Sequence, residues 1–110
     1  MKKDLTNLIE REERLEQRLS ITLSGLFATT NEDDDMISVR GELHPIEGDA
    51  LRSSIKLTVS VFDSDDRIIE IEETYIDRDN FFGFELFDLD IWVSGNQVRR
   101  LRVHPSLYDS

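Results

Sequence analysis

The chain of 110 residues contains no cysteine. That absence excludes disulfide bonds, a thiol nucleophile, cysteine-ligated zinc and lipid attachment to cysteine. No apolar window approaches the ~20 residues that a membrane-spanning helix needs. Near the start, Lys2 and Lys3 are followed by acidic residues where a signal peptide has its apolar region. We therefore expect a cytoplasmic protein without membrane insertion.

Basic residues are scarce, with 13 Lys and Arg against 24 Asp and Glu, which gives a formal charge of −11 at pH 7. An acidic chain is repelled by nucleic acid and by anionic lipid, so we expect no nucleic-acid partner. Proteins with basic surfaces, or cations, suit this charge better. The five glycines form no phosphate-binding loop, and no G-x-S-x-G motif is present. We expect no catalytic site.

Alternation of apolar and polar residues is the clearest pattern in the chain, and it predicts β-strands. Residues 55–62 and 67–76 each alternate, and the polar turn between them contains three aspartates. This spacing predicts a β-hairpin with one buried face. Four further alternating runs lie near residues 19–23, 37–43, 82–91 and 98–103.

These runs predict a mainly β fold, a single antiparallel β-sandwich of six to seven strands over residues 19–110, either immunoglobulin-like or C2-like. A slip in the alternation between Leu86 and Phe87 predicts a β-bulge or a strand that crosses between sheets. The predicted core includes Ile55, Leu57, Val59, Val61, Ile69, Ile71, Phe82, Phe84 and Leu86.

The first 18 residues have a different, helical spacing of apolar residues. Leu5, Leu8 and Leu15 lie on one side of a helix over residues 4–18, and Glu10 precedes Arg14 by four residues, as in a favourable helical ion pair. We predict an N-terminal helical segment, 1–18, that packs over one end of the sandwich. A dimerising helix is the alternative, but it needs more heptads than this chain has.

The run Val59 to Asp63, with Arg67 and Ile68 after the turn, resembles the FxLYD family of small bacterial domains. The strand Phe82-x-Phe84-x-Leu86 is similar to the segment that follows the next turn of that family, so the resemblance covers roughly residues 37–103. It implies an immunoglobulin-type sandwich and a bacterial origin, and it brings no catalytic residues. A shared sandwich fold does not by itself imply a function.

Asp63, Asp65 and Asp66 in the hairpin turn are the candidate metal ligands. Residues 57–65 look like a strand and aspartate loop of C2 domains, which bind calcium and phospholipid, and calcium takes six to eight oxygen ligands. A second acidic turn, at Asp77 and Asp79, should lie at the opposite end of the same strand, too far away to add ligands. A solvated turn that needs no calcium and no other cofactor is the preferred interpretation.

Two histidines, His44 and His104, each precede a proline. Imidazoles serve as zinc ligands and as acid–base groups, but no spacing brings these two together. Exposed histidines at strand ends, without a catalytic or metal role, are the preferred interpretation.

The basic cluster Arg99, Arg100 and Arg102 and the single tryptophan, Trp92, are the candidate partner-binding residues. We predict that residues 98–103 form an edge strand, which the arginines shield or which receives a partner by strand addition. Phe62, Phe87 or Trp92 would be the apolar anchor. The sequence therefore predicts a non-enzymatic module that binds an unidentified protein partner, with a homodimer or a calcium-binding C2-like module as alternatives.

Overall fold

The alternating runs build two four-stranded sheets in a computed structural model, which describes residues 2–31, 35–94 and 97–108. The strands are β1 (Lys2–Asp4), β2 (Ile9–Arg11), β3 (Ile21–Asn31), β4 (Ile37–Pro45), β5 (Ile55–Phe62), β6 (Ile68–Ile76), β7 (Glu85–Ile91) and β8 (Arg100–Leu107). The helices are α1 (Glu13–Arg18) and two 3-10 turns, Thr6–Leu8 and Arg78–Asn80. Sheet A has the strand order β1-β3-β4-β7, and sheet B has the order β2-β8-β5-β6. The predicted mainly β sandwich is confirmed.

The described strands number eight instead of the six to seven expected, because the N-terminal segment supplies two of them. Their pairing is antiparallel except between β2 and β8, which run parallel with Ile9 opposite Leu101. None of the helices in the described ranges combines the length and apolar content needed to cross a bilayer.

The predicted hairpin is confirmed, since β5 and β6 pair antiparallel with Ile55 opposite Ile76. Its turn is held by Asp63, whose Oδ1 accepts hydrogen bonds from the backbone N–H groups of Asp65 at 2.9 Å and Arg67 at 3.0 Å. Asp66 has a φ of 61°, the left-handed conformation that aspartate tolerates in turns. A bulge at Ile69 then shifts the register of β6 against Phe62.

The core lies between the two sheets and is built from the inward-facing residues of the paired strands. On β5 these residues are the predicted Ile55, Leu57, Val59 and Val61, and all four are buried. Beside them in sheet B lie Leu101 and Val103 of β8. The facing residues of sheet A come from β3, β4 and β7, and they include Ile21, Leu23, Ile37, Val39, Leu43 and Ile91. Ile69 is partly buried against this core, as expected, whereas Ile71 is exposed.

The prediction that Phe82, Phe84 and Leu86 belong to the core is wrong. The strand β7 begins only at Glu85, and its inward-facing residues are Phe87, Leu89 and Ile91. Phe84 and Leu86 are 50% and 67% exposed, and Phe82 is exposed as well. The slip in alternation is thus no bulge or crossing within a strand. The loop through Gly83, at a φ of 92°, leads into β7 at Glu85. Within β7, Leu86 and Phe87 belong to opposite faces, and large apolar residues occur in both phases.

Phe87 packs onto a glycine of the neighbouring strand. Gly41 lies directly opposite Phe87 in the β4–β7 pair. A Cβ atom at Gly41 would come within 2.7 Å of Phe87 Cζ and 2.8 Å of Leu26 Cδ2. Glycine is therefore needed at this position because the two side chains occupy the space of its missing Cβ.

The helix predicted over residues 4–18 is confined to Glu13–Arg18, so the description of residues 1–18 as a helical segment is wrong. β1 extends sheet A beside β3, and β2 extends sheet B beside β8. Between them Leu5 is buried in the core, and its backbone N–H donates to the carbonyl of Ala28 at 2.8 Å. Burial of Leu5 between the sheets outweighs the weak helical spacing of this segment.

An ion pair between Arg11 and Glu16 connects α1 to both sheets. Glu16 is 2% exposed, and its carboxylate accepts two hydrogen bonds from the guanidinium of Arg11. The same carboxylate accepts from the backbone N–H of Leu23 at 3.1 Å, and Arg11 donates to the carbonyl of Leu23 at 2.7 Å. The hydrogen bond to Glu16 raises the pKa of Arg11 above its usual value. This pair joins β2, α1 and β3.

Truncation of the two neighbouring phenylalanines tests the corrected core. Phe87→Ala should lower the free energy of unfolding by about 3–5 kcal/mol, because it empties a packed site. Phe84→Ala should cost about 1 kcal/mol or less, since half of that side chain is already in water. Urea denaturation of both variants measures the difference. Equal losses would contradict the assignment of β7.

Candidate functional site

The aspartates of the hairpin turn are paired with arginines. The guanidinium of Arg67 lies 3.3 Å from Asp63 and 3.2 Å from Asp65, and that of Arg100 lies 3.1 Å from Asp66. The pKa of Asp63 lies below its usual value, and the largest cause is the hydrogen bond from the backbone N–H of Arg67. Within the described ranges no group of three or more acidic or histidine side chains could hold a metal ion. These contacts favour the solvated turn over the calcium site.

The basic cluster lies on an interior strand, so the prediction that residues 98–103 form an edge strand is wrong. β8 pairs with β2 on one side and with β5 on the other. Arg100 places its guanidinium carbon 3.9 Å from the ring centre of Phe62 and also lies 3.4 Å from Glu10. Arg102 lies 3.5 Å from Glu12. The two side chains therefore hold the N-terminal segment against sheet B.

The other predicted partner-binding residues lie apart from these contacts. Arg99 precedes β8, and its backbone N–H donates to the carbonyl of Phe62 at 2.9 Å. Phe62 and Phe87 are buried and offer no anchor. Trp92 follows β7 directly and is 74% exposed. A partner role for Arg99, Arg100, Arg102 and Trp92 stays a prediction, with Trp92 the most accessible of them as an anchor.

The two histidines lie on opposite outer faces of the sandwich. His44 is on β4 of sheet A, where its Nε2 lies 3.1 Å from Glu42 and its ring stacks on Phe84 with centres 5.7 Å apart. His104 is on β8 of sheet B. The fold therefore excludes a site that both histidines share.

An apolar patch on the outer face of sheet A is the candidate site that the sequence did not reveal. Its apolar members are Phe27 on β3, Leu86 on β7 and Phe84 just before β7. A β-bulge turns Phe27 outward, because Gly25 and Leu26 intervene between Ser24 and Phe27 on β3 while Gly41 alone stands opposite. Gly25 adopts a φ of 61° there. We call this patch, with the polar residues between its members, the sheet A face.

Polar side chains of the sheet A face pair with one another across the strands. Phe27, Arg40 and Asp88 form one row over three strands, and Arg40 Nε lies 3.2 Å from Asp88 Oδ2. Glu42 stands opposite Leu86 in the next row. Because these polar groups are already paired, the face offers apolar contact rather than a free charge.

A shallow depression of about 370 Å³ lies on this face, and Phe84 is outside its lining. Phe27 and Leu86 line it together with Gly25 and Arg40. Two further depressions, of about 300 and 500 Å³, lie near α1 and the loop after β4, and charged side chains, Glu13 in the first and Arg52 in the second, help to line them. The depression on sheet A suits an apolar side chain of a partner, because Phe27 and Leu86 line it and are exposed.

The alternation of residues in β7 could have indicated part of the sheet A face. Leu86, Asp88 and Asp90 share one phase of β7, and Phe87, Leu89 and Ile91 share the other. Because the phase of Leu86 contains Asp88 and Asp90, the sequence indicates that this phase faces solvent. Phe27 gave no such signal, because the bulge at Gly25 reverses the phase of β3 at that point.

Calcium should have little effect on stability if the turn carboxylates are satisfied by arginines. We expect the melting temperature in roughly 5 mM calcium to equal that in chelator within about 1 °C, since only a ligand of the folded state raises it. Thermal denaturation measures both. A rise of several degrees that Asp65→Ala removes, and Asp79→Ala does not, would restore the calcium hypothesis.

His104 should make the protein sensitive to mild acid. Burial, reinforced by the nearby charge of Arg102, lowers the pKa of His104, while Glu12 and Glu73 oppose the shift and Lys56 adds to it. Its Nδ1 is buried and has no hydrogen-bond partner among the described residues. The unfolded chain therefore binds this proton more readily than the folded chain, so stability falls as the pH drops below about 6.5 and levels off below the folded pKa.

Urea denaturation at about pH 7.5 and about pH 5.5 measures this loss. His104→Asn should lose less stability between the two pH values than the wild type does. The matched control His44→Asn should behave as the wild type. An unchanged pH dependence in His104→Asn would contradict the assignment.

Comparison of the chain with protein-family models, with curated proteins and with solved structures yields no significant match. The likeness to FxLYD and immunoglobulin-type domains, the bacterial origin and the cytoplasmic location therefore stay predictions from the sequence. Function has to be argued from the geometry of the chain itself.

Proposed function

We propose that the protein is a non-enzymatic interaction module that binds a protein partner through the sheet A face. The observation that carries the proposal is the gathering of Phe27, Phe84 and Leu86, each at least 41% exposed, on one solvated sheet face. Apolar side chains scattered singly on a surface need no explanation, but a group beside a depression is typical of an interaction site.

The surroundings of this group suit a protein partner. Paired polar residues, Arg40 with Asp88 and Glu42 with His44, flank the apolar side chains as a polar rim flanks the centre of an interface. Phe84 is already restrained by its stacking on His44, so less conformational entropy is lost when a partner covers it. Trp92 follows the end of β7, two residues after Asp90. It would extend the contact surface beyond that end of the strand.

Affinity capture with matched variants tests the proposal. The double variant Phe84→Ser with Leu86→Ser removes two apolar contacts from the sheet A face. The control variant Ile46→Ser with Leu107→Ser removes exposed apolar side chains elsewhere, and both variants should remain folded. Proteins captured from a host extract by the wild type and by the control should be lost with the first variant. The purified partner should then bind the first variant at least roughly ten-fold more weakly.

The result that contradicts the proposal is an equal set of captured proteins, with equal affinity, for all three forms. A third arm, Trp92→Ser, decides whether the surface reaches the end of β7. Light scattering on the free protein identifies the homodimer alternative, because a dimer that Leu86→Ser dissociates would make a second copy the partner.

A further inference from the structure

The edge of sheet B at β6 is open. β6 pairs with β5, and among the strands that the structure describes none pairs with it on the other side. The backbone N–H and C=O groups along such an edge can form hydrogen bonds with an extended segment of another protein, which then adds a strand to the sheet. Of the nine residues of β6 only Ile76 is buried.

Two glutamates of β6 point to the side of sheet B that carries the core. Glu70 lies opposite Val61 and Glu72 lies opposite Val59, and residues paired in this way share a face of the sheet. Val59 and Val61 are completely buried, yet both glutamates are exposed. Sheet A therefore does not cover β6 at these positions, and the two carboxylates stand beside the open edge.

These two carboxylates differ from the other glutamate of the strand. Glu73, on the outer side, lies 3.2 Å from Lys56. Glu70 accepts a hydrogen bond only from the neighbouring backbone N–H of Ile71, at 3.2 Å, and no Lys, Arg or His in the described ranges lies within ion-pair distance of Glu70 or Glu72. The edge thus carries negative charge that the protein does not neutralise itself.

The opposite side of β6 presents apolar side chains. Ile71 and Tyr75 are about half exposed on the outer face of sheet B, in the phase that alternates with Glu70 and Glu72. A strand added to β6 would meet Glu70 and Glu72 on the inner side. On the outer side it would meet Ile71 and Tyr75, with Glu73 between them already paired with Lys56. We propose that β6 binds an extended segment of a partner protein in which lysine or arginine alternates with apolar residues. This second surface is independent of the sheet A face.

A second copy of the chain does not suit this edge. Two β6 strands paired antiparallel would bring Glu70, Glu72 and Glu73 of one copy next to the same residues of the other. Like charges on facing strands are destabilising, and each copy carries a formal charge of −11. Charge complementarity therefore selects a basic segment of a different protein.

Binding of a synthetic peptide to the full chain tests this inference. The probe is a fluorescent peptide of about seven residues that alternates lysine with valine. A peptide of the same composition with its lysines grouped at one end tests whether alternation matters. A third peptide, with glutamate in place of lysine, tests the sign of the charge. Fluorescence anisotropy gives the affinities, and backbone NMR shifts show which strand responds.

The protein variant Glu70→Gln with Glu72→Gln keeps the shape of both side chains and removes their charge. The control Glu47→Gln with Asp49→Asn makes the same change of net charge in the exposed loop after β4. We expect the first variant to bind the alternating peptide roughly ten-fold more weakly than the wild type, and the control to differ by less than about two-fold. NMR shifts should be concentrated in residues 68–76.

Several results would overturn the inference. These are no binding of the alternating peptide, equal binding of the grouped peptide, equal weakening by both variants, or shifts centred outside β6. If the wild type binds no peptide and the Glu70→Gln, Glu72→Gln variant self-associates, the glutamates only protect the edge from aggregation. None of these results depends on the sheet A face, so the two proposals can fail separately.

Discussion

The buried contact between Arg11 and Glu16 is the interaction on which the closed side of the sandwich depends. It joins β2, α1 and β3, and it lies where the chain returns from sheet B to sheet A through α1. Removal of Arg11 would leave the buried carboxylate of Glu16 without its cation, which is far more costly than loss of a surface pair. The contact also fixes the segment whose Glu10 and Glu12 meet Arg100 and Arg102.

The two sides of the sandwich therefore differ. At one side the N-terminal segment adds a short strand to each sheet and places its own Leu5 in the core. At the other side β6 and β7 end their sheets, and no described strand extends either one. Exposed apolar residues concentrate on or next to these two strands, at Ile68, Ile71, Tyr75, Phe82, Phe84, Leu86 and Trp92. Both proposed interaction surfaces involve this side of the sandwich, where β6 and β7 end their sheets.

The pairing of charged side chains is also uneven. Most of the scarce basic side chains near the sheets have acidic partners in the chain: Arg11, Arg40, Lys56, Arg67, Arg100 and Arg102. Among the residues that the structure describes, Glu70 and Glu72 are acidic side chains without an ion-pair partner. A net negative charge favours basic partners at long range, whereas the exposed apolar side chains supply contact after encounter.

The sequence by itself determined the β class, the β5–β6 hairpin and the buried face of β5, because strict alternation bounded by a polar turn has one physical solution. It did not determine which face of the Phe82–Ile91 run is buried, since both phases contain large apolar residues and only the facing sheet selects Phe87 over Phe84. It also could not place Phe27 outside, because the bulge at Gly25 depends on pairing with Gly41 on another strand. Position in a sheet is a property of tertiary pairing. For that reason only the folded structure decided that β8 is interior, that β6 is an open edge, and that the arginines of β8 have partners in the N-terminal segment.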